Sequence, residues 1–238
     1  MLGAVTAAVA GRRAPRFRLA AGAVLLVAVA VACAPSASSM STPGVSAPGD
    51  WREHAIEPSG VALSLPAEWL VFDAAALADP AVRAKLESEF SGARALFSAI
   101  AAQGTRVRLV FLGVDPAGRR SSTLPSTFAV VAVEPRIPEL GLGFGADLVL
   151  GGLNVALEVE TPVERERIDT PVGRGVRFAF DHRIVDPAGG RGLRASLDGA
   201  LVTADRASFL VFRNVDAADA DASAPSLEAV VSTIRDLP

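Results

Sequence analysis

The feature that most restricts what this chain can fold into is the uncharged run Leu19 to Ala32 (LAAGAVLLVAVAVA), which ends on Cys33, the single cysteine among 238 residues. Arg12, Arg13, Arg16 and Arg18 precede it. A basic stretch, a short apolar stretch and small residues in that order have the layout of an export signal over residues 1–32. The run falls short of the roughly 20 apolar residues that a spanning helix needs, so an uncleaved anchor is the weaker reading. The next segment, Ala34 to Asp50 (APSASSMSTPGVSAPGD), is rich in Ser, Ala, Pro and Gly. It lacks the apolar content that offsets the entropy of ordering, and a flexible tether is expected over 33–50. Folding is thereby confined to one domain over 51–238, which contains no cysteine. A domain of this length without disulfides must rest on an ordinary hydrophobic core.

The tetrad Ala30-Val31-Ala32-Cys33 resembles a bacterial lipobox, with Ala30 where Leu is the commoner residue. The resemblance implies cleavage between Ala32 and Cys33 after the Cys33 sulfur has received diacylglycerol, with palmitate-type acyl chains. It implies a lipoprotein held at the exported face of the cell membrane, in a bacterial envelope. Loss of the signal removes four arginines and no acid, which takes the net charge from −3 to −7. An acidic chain lacks the clustered Lys and Arg that bind phosphate backbones, so nucleic acid is not an expected partner.

Within the domain, Gly60 to Leu65 alternates apolar with small or polar residues and meets Pro66, which ends a strand. From Asp79 to Gln103, Val82, Leu86, Phe90, Ala93, Phe97 and Ile100 recur at three- and four-residue spacings, which predicts one long amphipathic helix. Asp79 and Pro80 mark its start and Gly104 its stop. Arg106–Gly113 and Thr127–Val133 read as a pair of strands joined at Asp115 to Gly118, the second apolar enough to be buried on both faces. Ala146–Val159 reads as a helix weakened by Gly151 and Gly152. Strands are expected at Glu164–Asp169, Gly175–Val185, Arg194–Thr203 and Ala207–Asn214, with turns at Pro171–Gly173, Pro187–Gly192 and Asp205-Arg206. A closing helix is predicted from Leu227, Val230, Val231, Ile234 and Leu237, with Pro225 in its first turn.

The run from Gly60 to Trp69, with Pro66-x-x-Trp69 after a strand, resembles the opening of the PsbP-like superfamily, which includes LpqN-like bacterial lipoproteins. The order of elements from about residue 52 to 237 is similar as well. The resemblance implies an α/β (α+β) fold, an α/β/α sandwich on a mainly antiparallel sheet, used chiefly for binding and assembly. Fold alone does not assign an activity.

Residues that could carry chemistry are few. His54 and His182 stand far apart without metal-ligand spacing, and no metal site or cofactor is expected. No Ser occupies an activating G-x-S-x-G or S-x-x-K context, so no catalytic residue is assigned. His182, beside Asp181 and near Asp186, is the one candidate acid–base group, although an edge histidine on a solvated face is the favoured reading. Gly141, Gly143 and Gly145 lack both a preceding strand and a P-loop Lys, and are expected to form a loop at the rim of a ligand pocket. Asp216, Asp219 and Asp221 lack the turn and distal Glu of a calcium loop. Trp69 is expected in the core. The leading expectation is a non-enzymatic, lipid-anchored protein whose partners are the membrane, through its anchor, and an envelope protein or small apolar ligand. The alternatives are an enzyme using His182 with nearby carboxylates, or a structural spacer.

Overall fold

The computed structural model describes residues 49–90, 93–102, 104–116, 124–184, 192–220 and 225–238. The expected signal, the expected cleavage site at Ala32 and Cys33, and the expected tether to residue 48 lie outside the described residues, as do Gln103, Asp186, Asp221 and parts of the joins after Asp115 and Ile184.

In chain order the elements are β1 (Trp51–Ile56), β2 (Val61–Pro66), β3 (Leu70–Asp73), α1 (Ala74–Ala78), α2 (Pro80–Glu89), α3 (Ala93–Ala102), β4 (Val107–Val114), β5 (Thr127–Val133), α4 (Leu142–Ala156) and β6 (Glu158–Val159). The second half adds β7 (Glu164–Thr170), β8 (Gly173–Ile184), β9 (Leu193–Thr203), β10 (Ser208–Asp216), α5 (Leu227–Val231) and β11 (Arg235–Asp236). Eight of the strands form one antiparallel sheet in the order β3-β4-β5-β10-β9-β8, with β6 and β7 both pairing along the outer edge of β8. The remaining three form a small antiparallel sheet, β1-β2-β11.

The large sheet is apolar on both faces because its central strands carry apolar residues at both parities. In β5, Ala129, Val131 and Val133 face a core shared with α2, α3 and α4, whereas Phe128, Val130 and Ala132 face a second core. The second core is closed by β2 and α5, through Leu63, Leu65, Leu227 and Val230. The result is the expected α/β/α sandwich on an antiparallel sheet, whose far layer combines α5 with the three-stranded sheet. Trp69 lies in this second core, its ring tilted against Phe128 at 5.8 Å between centroids.

Four sequence expectations change. The helix over Asp79–Gln103 is two helices: Phe90 leaves α2 with extended backbone, and α3 begins at Ala93. Asp79 caps α2 as expected, its carboxylate accepting from the Ala81 N–H at 2.8 Å. The apolar stripe nonetheless survives the break, since Leu86, Phe90, Ala93 and Phe97 are buried together. Second, α4 starts at Leu142, four residues before its expected start, and ends at Ala156; Leu148 in its middle is exposed.

The closing helix is the third change. It spans only Leu227–Val231, with Pro225 outside it and Ser226 as the cap. Ser232 and Thr233 return hydroxyl hydrogen bonds to the carbonyls of Ala229 and Val230, at 2.8 and 2.7 Å, and compete with a further helical turn. The chain then satisfies the edge of β2: Ser64 N–H donates to Thr233 Oγ1, Arg235 and Asp236 pair with Ala62 and Val61, and Leu237 N–H donates to Gly60 O. Last, β1 precedes the first expected strand. Its charged Arg52 and Glu53 suit an outer strand with one face in water.

Close packing of the large sheet depends on Gly199 in β9. A Cβ there would stand 2.9 Å from the ring of Phe178 and 3.0 Å from Phe212 Cβ. Gly151, in the exposed middle of α4, meets nothing within 4 Å. Gly199→Ala is therefore expected to lower unfolding free energy by about 1–3 kcal/mol through overpacking. Gly151→Ala is expected to raise it by roughly 1 kcal/mol through helix propensity. Urea denaturation of the two variants beside the parent chain checks both signs.

Candidate functional site

The residues with chemical potential meet between the helical layer and the large sheet. Along β8, Val176, Phe178, Phe180, His182 and Ile184 share the parity that faces the helices, and Arg177, Ala179, Asp181 and Arg183 take the other. Along β10, Leu210, Phe212 and Asn214 face the same way. The strand between them, β9, places small Ala195 opposite His182 and Leu197 opposite both Phe180 and Asn214. His182 reaches across that small residue to Asn214, Nε2 to Oδ1 at 2.9 Å.

This polar pair stands at one end of an apolar cleft. Leu96 and Ile100 of α3, Val149 and Leu153 of α4, and Val131 and Val133 of β5 supply most of the remaining wall. The cleft measures about 700 Å³ with its open mouth, of which about 50 Å³ is reachable by the centre of a water molecule. Its lining is narrow and greasy with a single polar corner, the usual composition of a site for a small apolar molecule with one oriented polar group.

His182 is only 2% exposed, which corrects the expectation of a solvated edge histidine. Burial pushes its pKa below the ordinary 6.5, against the opposing pulls of Asn214, the Arg183 backbone, Asp181 and Glu160. The ring is thus neutral near pH 7. With Nε2 donating to the Asn214 oxygen, Nδ1 is the bare nitrogen, and it has no hydrogen-bond partner among the described residues. Asp181, the expected acid–base companion, points to the opposite face of β8 and pairs with Arg194 at 3.0 Å. Arg194 also meets Glu160 at 2.9 Å, and Glu160 accepts from Arg183, whose hydrogen bonds hold its carboxyl below the usual range. The structure joins His182 to a neutral amide and turns Asp181 away.

The glycines are placed differently from expectation. Gly141 caps α4, and Gly143 and Gly145 lie in its first turn, so they form a helix start and not a loop. Gly145 permits close packing: a Cβ would come 2.7 Å from Ile137 Cδ1 and 3.4 Å from Leu201. Ile137 is itself held by the Thr203–Ser208 hydroxyl pair, its carbonyl accepting from Thr203 at 2.8 Å and its N–H donating to Ser208 at 2.8 Å. Asp216 caps the short helical turn after β10, accepting from the Ala218 N–H. Among the described residues no group of three or more His, Asp or Glu is arranged to hold a metal. Half-buried His54 of β1 lies against Phe111 of the second core, 5.7 Å between rings. Asn214 escapes sequence reasoning, though the β10 alternation Leu210, Phe212, Asn214 carries the signal.

No family model matches the chain, and no curated protein matches it. Among solved structures it is similar to the solution structure of cyanobacterial PsbP (CyanoP) from Synechocystis sp. PCC 6803, at 12% identity and a TM-score of 0.42, over 83% of this chain and 98% of that one.

The buried pair has two measurable consequences. Asn214→Leu orphans the His182 N–H and is expected to cost about 1–3 kcal/mol, while His182→Phe with Asn214→Leu comes closer to the parent because neither partner is left unmatched. Because the folded pKa of His182 lies below its unfolded value of 6.5, the unfolded chain binds the extra proton as pH falls through that value. Stability is flat above that range and declines below it until the folded ring also protonates. His54, lowered mainly by burial, contributes in the same direction. Denaturation at pH 7.5 and 5.5 is expected to show a smaller loss in the double variant than in the parent.

Proposed function

We propose that this chain is an exported lipoprotein, anchored through acylated Cys33, whose domain binds a small apolar ligand in the cleft between α3, α4 and the large sheet. The observation that carries the binding reading is the apolar cleft closed at one end by the buried His182–Asn214 pair. A neutral histidine and an amide orient one polar group of a ligand, and the hydrophobic wall supplies most of the affinity. The pairing of His182 with an amide, while Asp181 turns to Arg194, favours binding over acid–base chemistry. The anchor reading is supported by the sequence before Cys33 and by the acidic charge of the remainder, which leaves attachment to the lipid rather than to headgroup attraction.

Two experiments test the two parts. Native mass spectrometry of the chain purified from its host membranes is expected to show a retained apolar mass. Val149→Trp, which fills the half-buried rim of the cleft, is expected to remove that mass and to abolish N-phenyl-1-naphthylamine binding without loss of fold by circular dichroism. Equal dye binding by parent and variant would sink the cleft as the site. For the anchor, Cys33→Ala is expected to abolish acylation and signal removal together. A processed Cys33→Ala chain still in the membrane fraction would overturn it.

A further inference from the structure

The described surface shows four exposed large apolar side chains, and three of them line one ridge: Leu140 at 104%, Phe144 at 76% and Leu148 at 63% exposure, against 36% for Leu70. Leu140 sits in the helical turn that leads into α4, and Phe144 and Leu148 follow at four-residue intervals, so the three stand one above another. This is the side of α4 opposite the wall of the cleft, which Val149 and Leu153 supply. Burial in the core does not account for these residues.

Two acids share the ridge, and each is matched. Asp147 bonds Arg165 of β7, and Glu139 lies 3.5 Å from Arg174 of β8. The ridge is therefore apolar and locally neutral, without a charge pattern to be read by a charged partner. It is also small: three side chains expose far less than the roughly 800 Å² per partner of a stable protein interface. A second copy of this chain would gain too little from it.

What the chain does supply beside such a ridge is a bilayer. Seventeen residues, Ala34 to Asp50, separate Cys33 from the domain, and extended they span about 55 Å. A domain held that close meets the lipid surface at a high effective concentration, where a weak apolar contact suffices. We infer that Leu140, Phe144 and Leu148 form a membrane-docking ridge that enters the interfacial layer of the bilayer to which the chain is anchored, laying α4 along the surface. The inference rests on the anchor of the proposed function. Interfacial helices are held in this way, with apolar side chains at the headgroup boundary and polar groups turned to water.

The test uses the full chain, purified from its host and reconstituted with excess phosphatidylcholine vesicles. Acylation of Cys33 leaves no free thiol, so Gly151→Cys, on the face of Phe144 and open to solvent, takes a polarity-sensitive fluorophore at one position. Glu228→Cys, exposed on α5 in the opposite layer, takes the same label as a control. The dye at 151 is expected to shift to the blue and to be quenched at least threefold more by brominated lipid than the dye at 228. Leu140→Ser with Phe144→Ser and Leu148→Ser is expected to erase the difference, and all three changes lie on the surface and spare the core. Raising salt from low to high is expected to leave the quenching unchanged, since no charge drives it. Equal quenching at 151 and 228, or a ridge-dependent dimer on sedimentation with no quenching, would overturn the inference. Flotation of the vesicles separates the two failures: a chain that fails to float refutes Cys33 acylation and this inference with it, whereas a floating chain with equal quenching at 151 and 228 refutes the ridge alone.

Discussion

Everything in this domain depends on a sheet that is buried on both faces. The strands β5, β10 and β9 carry apolar side chains at odd and even positions alike, so neither face can be left to water. One face demands the helices α2 to α4, and the other demands β2 and α5. Each covering layer is short or irregular by itself. The broken α2–α3 pair and the one-turn α5 hold their form because the sheet beneath offers burial, which is the main source of helix stability in proteins.

The same constraint makes the candidate site. A strand period of two turns His182 and Asn214 toward the helical layer whether or not that layer accommodates polar groups. His182 Nε2 and the Asn214 amide oxygen satisfy each other across Ala195, so this contact is tolerated at the price of a fixed position. Among the described residues, an apolar cleft with one polar corner lies between α3, α4 and this end of the sheet. On the outer side of α4, Phe144 and Leu148, with Leu140 in the turn that precedes it, remain uncovered. One helix thus separates an inner apolar surface from an outer one.

Much of this is legible in the sequence, and the failures share a cause. The strand at Thr127–Val133 is legible to the residue, and β7 to β10 to within about two residues, because alternation and turn residues are local signals. The Asp79–Pro80 helix start is local as well. The break after Phe90 stays hidden although Ser91-Gly92 follows it in the sequence, because a continuous apolar stripe outweighs a small-residue pair. The glycines from 141 to 145 read as a loop because they follow Pro138 and no strand; Gly145 instead lies in the first turn of α4, packed close to Ile137 and Leu201. The terminal helix stops early because the open edge of β2 competes for its backbone. Polarity makes His182 look solvated, while its parity with Phe178 and Phe180 already puts it inside.

By itself, the sequence located most of the long strands and the start of α2, and it left residues 51–238 without a cysteine, while the antiparallel α/β arrangement was what the resemblance implied. The strand positions and the helix start arise from composition and period, which act over a few residues at a time. Tertiary structure alone decided that Asn214 meets His182, that Asp181 faces away, that α4 starts at a glycine cluster, and that three large apolar residues stand uncovered. Those facts depend on which strand lies beside which and on what covers each face, and such pairings join residues far apart in the chain.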